Sequence, residues 1–504
     1  MKLPFGLGER LAAKRAEAIR EAVNAELRQN RVSRIGRVRQ DVQGRYDAAQ
    51  TTTENTRHWA NTDALNADQA NSYSIRKRVR ERARYEFGNN PYARGMVKTR
   101  SNFVIGSGPR LQLLIEDKET AKEAEREFKS WARRVGLAKK LLQMHEARTV
   151  DGESFAIKET NPNLDHDIKL DLRLIECDRV TELGATGDPY NVDGVVIDEF
   201  GNPKEYHVLK QHPGGLYNLP SPQYEVVPAS KMLHWFSADR PEQHRGLSEI
   251  ISSLPLYGQM RRYTLAVLSA AEMAATMANV LYTDIPPNGY AETLTGFDAI
   301  ELERGMLTIA PAGWKPGQME PTQPASTYKE FKREILNEIG RALNMPYNIA
   351  ACDSSSYNYA SGRLDHQTFW ADVYVDRKQC EDDILDLIVD DWIREANLVF
   401  GWGLMPDAER EYYWDGIPHA DPVKEADAAD TLKKSGLQTD AQYCAARGMD
   451  WEEVYAQLAR EKEERERLGL PEVASKPDTG GLAPDTEEIA EALREMGVHG
   501  LTSE

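Results

Sequence analysis

The sequence predicts an α+β fold built around a pair of long helices, and three observations carry that expectation. From Asp239 to Phe369 the chain runs as a charged motif, an Ala-rich helix, a Gly/Pro-rich insert and a second helix, then breaks at NMPYNIAACDSSSYNYASGRLDHQTFW. From 153 to 236 the pattern changes to short alternating strands separated by turn residues. Beyond about residue 420 the chain is acidic and helical.

Composition bounds the rest. The 504 residues are enough for roughly two to four domains. An apolar content of 40% and a mean hydropathy of −0.61 fit a soluble protein with a large polar surface. Cys177, Cys352, Cys380 and Cys444 lie far apart and form no CxxC pair. That argues against a disulfide framework or a zinc site, and for a reducing cytoplasm. The start, MKLPFGLGERLAAKR, lacks the apolar core of a secretory signal. Charge is uneven: residues 1–110 hold 22 Lys/Arg against 11 Asp/Glu, and the remainder 41 against 70. A chain that wrapped nucleic acid would be basic along its whole binding face. Here only the N-terminal quarter is.

Taken in order, residues 1–73 read as an amphipathic helix over 8–30, with Leu11, Ile19, Val23 and Leu27 on one side, and then a polar arm. Residues 74–105 read as two helices broken at Gly88 to Pro91. The run Ile75 to Phe87, IRKRVRERARYEF, reads as a solvated charged helix, with contact to DNA or to an acidic neighbouring subunit as its functional alternative. Gly106, Gly108 and Pro109 turn the chain into a strand at 111–115, and 117–150 reads as helix. SFAIKE, KLDLRLIE, GVVIDE, KEYHVLK and MLHWF then read as strands, completing a mixed α+β body over 74–245.

The first long helix is expected from about Pro255 to Asp284, ending at Pro286-Pro287. Its apolar residues, Leu254, Tyr257, Leu265, Leu268 and Val280, alternate with dense Ala, which favours helix and lets backbones come close. Such a rod is about 40 Å long. Against a membrane span over 263–282 stand Glu272 at its middle, Arg261 and Arg262 at one end only, and the fact that half its residues are Ala, Thr, Ser or Asn. The insert, 285–327, contains a short strand, GMLTIA, at 305–310. A second helix runs over about 326–343 on the stripe Phe331, Ile335, Ile339 and Leu343, with Lys329, Lys332, Arg333 and Arg341 off it. A Ser/Tyr/Asn-rich loop covers 346–362, and a third helix starts near Gly362. Residues 363–420 read as a kinked helix and a return to the body. In the tail, 421–504, Pro471 to Pro484 is a linker and Thr486 to Met496 a last short helix, with the final 30 or so residues expected to be mobile.

Enzyme chemistry has one foothold. Asp382, Asp383 and Asp386 spell DDxxD, the aspartate-rich run with which isoprenyl-diphosphate synthases hold Mg²⁺ against a diphosphate. No second acidic motif follows on a facing helix. Ile384, Leu385, Leu387, Ile388, Trp392 and Ile393 make an ordinary amphipathic stripe with the acids on the wet side. There is no G-x-x-x-x-G-K-[ST], H-E-x-x-H or G-x-S-x-G. His234 and His244 read as structural. No catalytic residue, cofactor or metal site is expected, and any movement of DNA would need a separate motor.

RPEQHRGLS followed by the Ala-rich helix, DSSSYNYASGRLDHQTFW after a helix ending NMP, and the runs NNPYARGMVKTRSNFVIGSGPRLQ, DGESF and LRLIECDRV are ordered as in one family. Over roughly residues 35 to 415 the chain resembles the portal proteins of tailed bacteriophages, lambda-type family. The resemblance implies a portal fold. Residues 74–245 would be the wing, 246–284 and 328–345 the stem helices, 285–327 the clip, 346–362 the tunnel loop, and 421–504 a helical crown and mobile tail. It implies a dodecameric ring at one capsid vertex, assembled in the host cytoplasm and carried in the virion. Double-stranded DNA would be packaged and ejected through it. Its partners would be the terminase large subunit, the major capsid protein and the head-tail adaptor, with no membrane. The candidate DNA-channel residues are Lys332, Arg333 and Arg341, for phosphate contact, and the loop residues Ser354, Ser355, Ser356, Tyr357, Asn358, Tyr359 and Ser361. Short hydroxyl and amide groups there can touch the backbone without holding it. The rival classes are an Mg²⁺-dependent enzyme using the DDxxD helix and a DNA-binding structural protein that is not a conduit.

Overall fold

A computed structural model describes residues 53, 56–182, 188–215, 223–276, 280–282, 315–317, 328–355, 357–416 and 422–471. The helix expected over 8–30, the strand at 305–310, Ser356 and the helix expected at 486–496 lie outside the described residues. Residues 1–65 form one compact unit and 66–504 another. In the first, the described residues form turns, with the Thr62 N–H donating to the Trp59 carbonyl.

In the second unit, α1 (Ala67–Ala70) and α2 (Tyr73–Asn89) lead into α3 (Pro91–Ile105). The break falls at Asn90, whose side chain caps α3 with Pro91 at its first position. After β1 (Arg110–Leu113), the helix expected over 117–150 is two helices, α4 (Lys118–Val135) and α5 (Leu137–Asp151). Gly136, at φ 69°, splits them by taking the left-handed conformation that ends a helix. The strands are β2 (Glu153–Thr160), β3 (Leu170–Ile175), β4 (Asn191–Val192), β5 (Val195–Ile197), β6 (Pro203–Leu209), β7 (Tyr224–Pro228) and β8 (Met232–Phe236). They form antiparallel sheets in the orders β3-β2-β8 and β4-β5-β6-β7. Strand β2 is buried from Glu153 to Lys158 because each face meets a different core. Phe155 and Ile157 join Tyr206, Val208 and Val227 of the second sheet, whereas Ala156 joins Leu233, Trp235 and the helices.

Helix α6 spans Leu254–Thr276, ending eight residues before the expected Asp284. Val280–Tyr282 is instead a strand, β9, paired with β10 (Lys315–Gly317). The Ala-rich composition gives way there to Val-Leu-Tyr, which suits an extended chain better. Helix α7 (Tyr328–Arg341) and the single turn α8 (Tyr347–Ala350) precede α9 (Tyr359–Cys380). Helix α9 starts three residues before Gly362, because Asn358 and Ser361 form a reciprocal capping box.

One π turn, Glu381–Leu385, joins α9 to α10 (Asp386–Phe400). Buried Cys380, Ile384, Ile388, Trp392 and Ala396 are each four residues apart. In a regular α-helix such a row drifts by about 40° per step, and one wider turn returns it to the core. Strand β11 (Arg410–Tyr413) pairs with β1. Helices α11 (Pro422–Lys434), α12 (Asp440–Ala445) and α13 (Trp451–Arg467) follow. They attach to the body through Arg110 donating to the Gly448 carbonyl and through a Lys122–Glu452 ion pair at 2.8 Å. Among the described residues no helix is long and apolar enough to cross a membrane.

Candidate functional site

The base of α6 is held and its far part is not. Tyr257 is buried, with its hydroxyl 3.4 Å from the Met96 sulfur. Tyr263 stacks on Tyr328 of α7 at 5.7 Å and meets Phe331 edge-on at 4.7 Å. Yet from residue 261 to 272 no side chain is buried, and Leu265 and Leu268 are 56% and 54% exposed. An apolar helix surface of this length left in water calls for a partner.

The root of α6 is the RPEQHRGLS motif, and its charges are internal. Arg245 is fully buried and grips Glu153 at the start of β2, with contacts of 2.6 and 2.9 Å. The same carboxylate accepts from Arg80 at 3.3 Å and from the Gly246 N–H at 3.1 Å, and lies 3.3 Å from His234 Nε2. Burial by itself would raise the Glu153 pKa. The Arg245 charge and the His234 hydrogen bond outweigh it and hold the carboxyl well below the usual range. Gly246 faces Gly152, and a Cβ on Gly246 would collide with the Gly152 carbonyl and sit 2.8 Å from the Glu153 Cβ. His244 is structural: its N–H donates to Asp68 at 3.0 Å and its Nδ1 lies 2.8 Å from the same carboxylate.

This network changes the reading of the basic helix. Arg76, Arg80 and Arg84 recur every four residues along α2 and point inward. Arg76 pairs with Asp193, Arg80 with Asp178 and Glu153, and Arg84 with Asp151 and Asp178. Lys77, Arg78 and Arg82 remain exposed. The i, i+4, i+8 spacing was visible in the sequence. The four acids that receive it come from three distant segments and were not. A second buried node fixes α9: Asp376 accepts from Arg148 at 2.7 Å and Arg100 at 2.8 Å, and lies 3.4 Å from His145. Burial would raise this carboxyl too, but the His145 hydrogen bond and the two guanidinium groups hold it well below the carboxylate range.

The candidate channel residues divide into occupied and free groups. Lys332 is half-buried over the Tyr92 and Tyr328 rings, at 5.1 and 5.8 Å, and Arg333 lies over Tyr347 at 5.0 Å. Arg341 is exposed, beside a cavity of about 190 Å³ shared with Asn337, Asn344, Tyr357 and Asp365. Ser354 and Ser355 are exposed; the Ser355 N–H donates to Asp353 at 3.0 Å. Asn358 and Ser361 are spent on the α9 cap, at 2.9 and 3.2 Å. Tyr357 is half-buried with its hydroxyl against Asp365, and Tyr359 is the first residue of α9. Among the described residues the irregular stretch is 351–355 and 357–358, against the 346–362 expected.

The DDxxD acids do not converge on one cation. Asp382 pairs with Lys378 at 2.8 Å, and Asp386 accepts from Arg410 and from the Tyr412 hydroxyl, both at 2.9 Å. Burial and the Asp382 charge raise the Asp383 carboxyl. Glu176, Asp178 and His212 do come within 4.8 Å of one another. Asp178 is already neutralised by Arg80 and Arg84. Cys177, Cys380 and Cys444 are buried and Cys352 exposed, all as free thiols.

Comparison with known proteins agrees with the motif order. The family described as "Phage portal protein, lambda family" matches residues 52–377. A probable portal protein of Halomonas phage phiHAP-1 is 24% identical over 465 residues, covering 84% of this chain and 88% of that one. Portal protein B of Escherichia phage lambda is 22% identical over 466 residues, covering 79% and 86%. Among solved structures, the neck of an empty gene transfer agent particle, computed with C6 symmetry, has a TM-score of 0.43 at 15% identity over 77% of this chain and 92% of that one. A chain from the virion of a native gene transfer agent particle has a TM-score of 0.42 at 14% identity, over 78% and 93%. With a family match spanning most of its length, the chain belongs to the lambda family of phage portal proteins.

Proposed function

We propose that twelve copies of this chain close a ring at one vertex of a phage head, through which double-stranded DNA is packaged and later ejected. The uncovered α6 surface, with Leu265 and Leu268 in water, carries the reading. Neighbouring copies supply the missing cover, and the Ala-rich sides let the helices approach closely. Helices α6 and α7 are the stem, the segment between them the clip, the body the wing, and α11–α13 the crown. The ring sits among major capsid protein subunits in the virion and is assembled in the host cytoplasm. It docks the terminase large subunit during packaging and the head-tail adaptor afterwards.

The charge pattern suits transit. Each phosphate neutralised by Lys or Arg adds affinity and therefore drag. The chain carries a net charge of −18, and Lys332 and Arg333 are tied over aromatic rings. Arg341, Ser354 and Ser355 remain to touch the DNA backbone lightly. Light scattering with negative-stain imaging tests the architecture. A holed particle near twelve times 56.9 kDa is expected, and Leu265→Glu with Leu268→Glu should abolish it. A compact dimer that binds Mg²⁺ tightly would overturn the reading.

A further inference from the structure

Two exposed surfaces of opposite charge flank α6. On one flank Arg261 reaches α2, donating to the Tyr85 hydroxyl at 3.2 Å and to the Asn89 carbonyl at 2.8 Å. Arg78, Arg82, Tyr85 and Asn89 follow the i, i+4, i+7, i+11 spacing of one helix face. Along α6, Leu265 and Leu268 continue from Arg261 at i+4 and i+7. Arg78 and Arg82 are exposed and pair with no carboxylate among the described residues. Lys77 is exposed beside them, and Glu81 is the one exposed acid of α2. This flank therefore joins a basic helix face to the uncovered apolar ridge of α6.

The other flank is α7, which stacks on Tyr263 through Tyr328. Arg261 and Tyr263 stand about 160° apart around α6, so α2 and α7 lie on nearly opposite sides of it. On α7, Glu330, Glu334 and Glu338 recur every four residues, are exposed, and pair with no base among the described residues. Glu334 is about 160° around the helix from buried Leu336, so the row faces away from the core. Phe331, 48% exposed, lies at its edge, seven residues before Glu338. Lys329, Lys332 and Arg333 fall off the row and Arg341 ends it, which leaves three acids to one base.

The charged run of α2 suits DNA or an acidic neighbouring subunit, and the matching acids are on this same chain. They stand across α6 from it, so α2 can meet them only on a second copy. Two different, complementary surfaces on opposite sides of a molecule give a head-to-tail contact, which closes rings, whereas a two-fold dimer sets one surface on itself. We infer that the acidic face of α7, with Phe331 at its edge, docks on the basic face of α2 and the Leu265–Leu268 ridge of the next copy. The inference rests on the ring reading and adds which surface of one copy meets which surface of the next.

Cross-linking of the full-length chain tests it. Exposed Cys352 is replaced by Ser, Arg82 and Glu334 are replaced by Cys, and a short bis-maleimide is added. A ladder beyond the dimer is expected on a denaturing gel, because each copy links to two different neighbours. Glu330→Arg with Glu334→Arg and Glu338→Arg should lower the yield of rings on the order of tenfold, as should Arg78→Glu with Arg82→Glu. Combining all five changes in one chain should restore it, as should an equal mixture of the two variants, whose alternating copies match. A holed particle that forms no link between positions 82 and 334 overturns the inference and leaves the ring standing, as does a ring yield indifferent to both reversals. If Arg78→Glu with Arg82→Glu lowers DNA affinity and leaves ring yield unchanged, α2 serves nucleic acid and the inference fails. A dimer mass for the unmodified chain overturns the ring reading and this inference with it.

Discussion

Replacing Glu153 by Ala should detach the base of α6 from the body. The carboxylate is fully buried and holds Arg245 through two contacts, Arg80 through one and the Gly246 N–H through another. Removing it leaves the Arg245 guanidinium in the interior, with the Asp193 carboxylate at 3.4 Å as its remaining acidic partner. Breaking a buried pair from one side costs about 3–5 kcal/mol, because the surviving charge stays desolvated. Glu153→Gln keeps an acceptor for Gly246 and loses the charge, so about half that loss is expected. Urea unfolding followed by tryptophan fluorescence is a direct assay, since buried Trp235 stands opposite Ser154, the next residue of β2. Replacing both partners, Glu153→Leu with Arg245→Met, should cost less than Glu153→Ala alone. A loss below about 1 kcal/mol for Glu153→Ala would refute the reasoning, because the network would then be a surface-like cluster that water repairs.

Acid should loosen the same network. The Glu153 and Asp376 carboxyls are held below their unfolded values, so the stability they add is fully present above about pH 4 and is lost as pH falls further. Acid unfolding curves should therefore be less steep below pH 4 in Glu153→Gln than in the unmodified chain. Gly246→Ala should be more damaging than its size suggests, since the added methyl meets the Gly152 backbone and Glu153 Cβ. A loss of about 3 kcal/mol or more in thermal or urea unfolding is expected. In the loop, replacing Tyr357, Asn358 and Tyr359 together by Ala should leave the ring assembled but impair DNA packaging or retention, and normal packaging would remove the loop from the channel. Asn358→Ala alone should cost about 1 kcal/mol through the lost α9 cap. Ser354→Ala with Ser355→Ala should leave stability unchanged and alter retention only.

Much of the architecture was legible because it is written in local patterns. The break at Asn90-Pro91, the strands at DGESF and MLHWF, and the stripe Phe331, Ile335, Ile339 and Leu343 can all be read from neighbours a few residues apart. The order of the motif runs was enough to indicate the family. Errors fell where local signals compete. Ala-rich helix was extended through Val280–Tyr282, where a partner strand 33 residues away takes over. The onset of α9 was placed at Gly362, although Asn358 and Ser361 spell a cap.

Tertiary structure alone decided which charges stay exposed and which are internal fasteners. Composition makes Arg76, Arg80, Arg84, Arg100, Arg148 and Arg245 look like a basic surface. Folding brings each against a carboxylate from a distant segment, and in low dielectric those pairs become obligatory. Lys332 and Arg333 were likewise indistinguishable from Arg341 until Tyr92, Tyr328 and Tyr347 were placed beneath them. The sequence by itself determined the order of elements and the family, because periodicity and motif order are properties of adjacent residues. Burial, pairing and the uncovered face of α6 depend on contacts between distant segments, from 67 residues apart for Arg84 and Asp151 to 276 for Arg100 and Asp376, which no local pattern encodes.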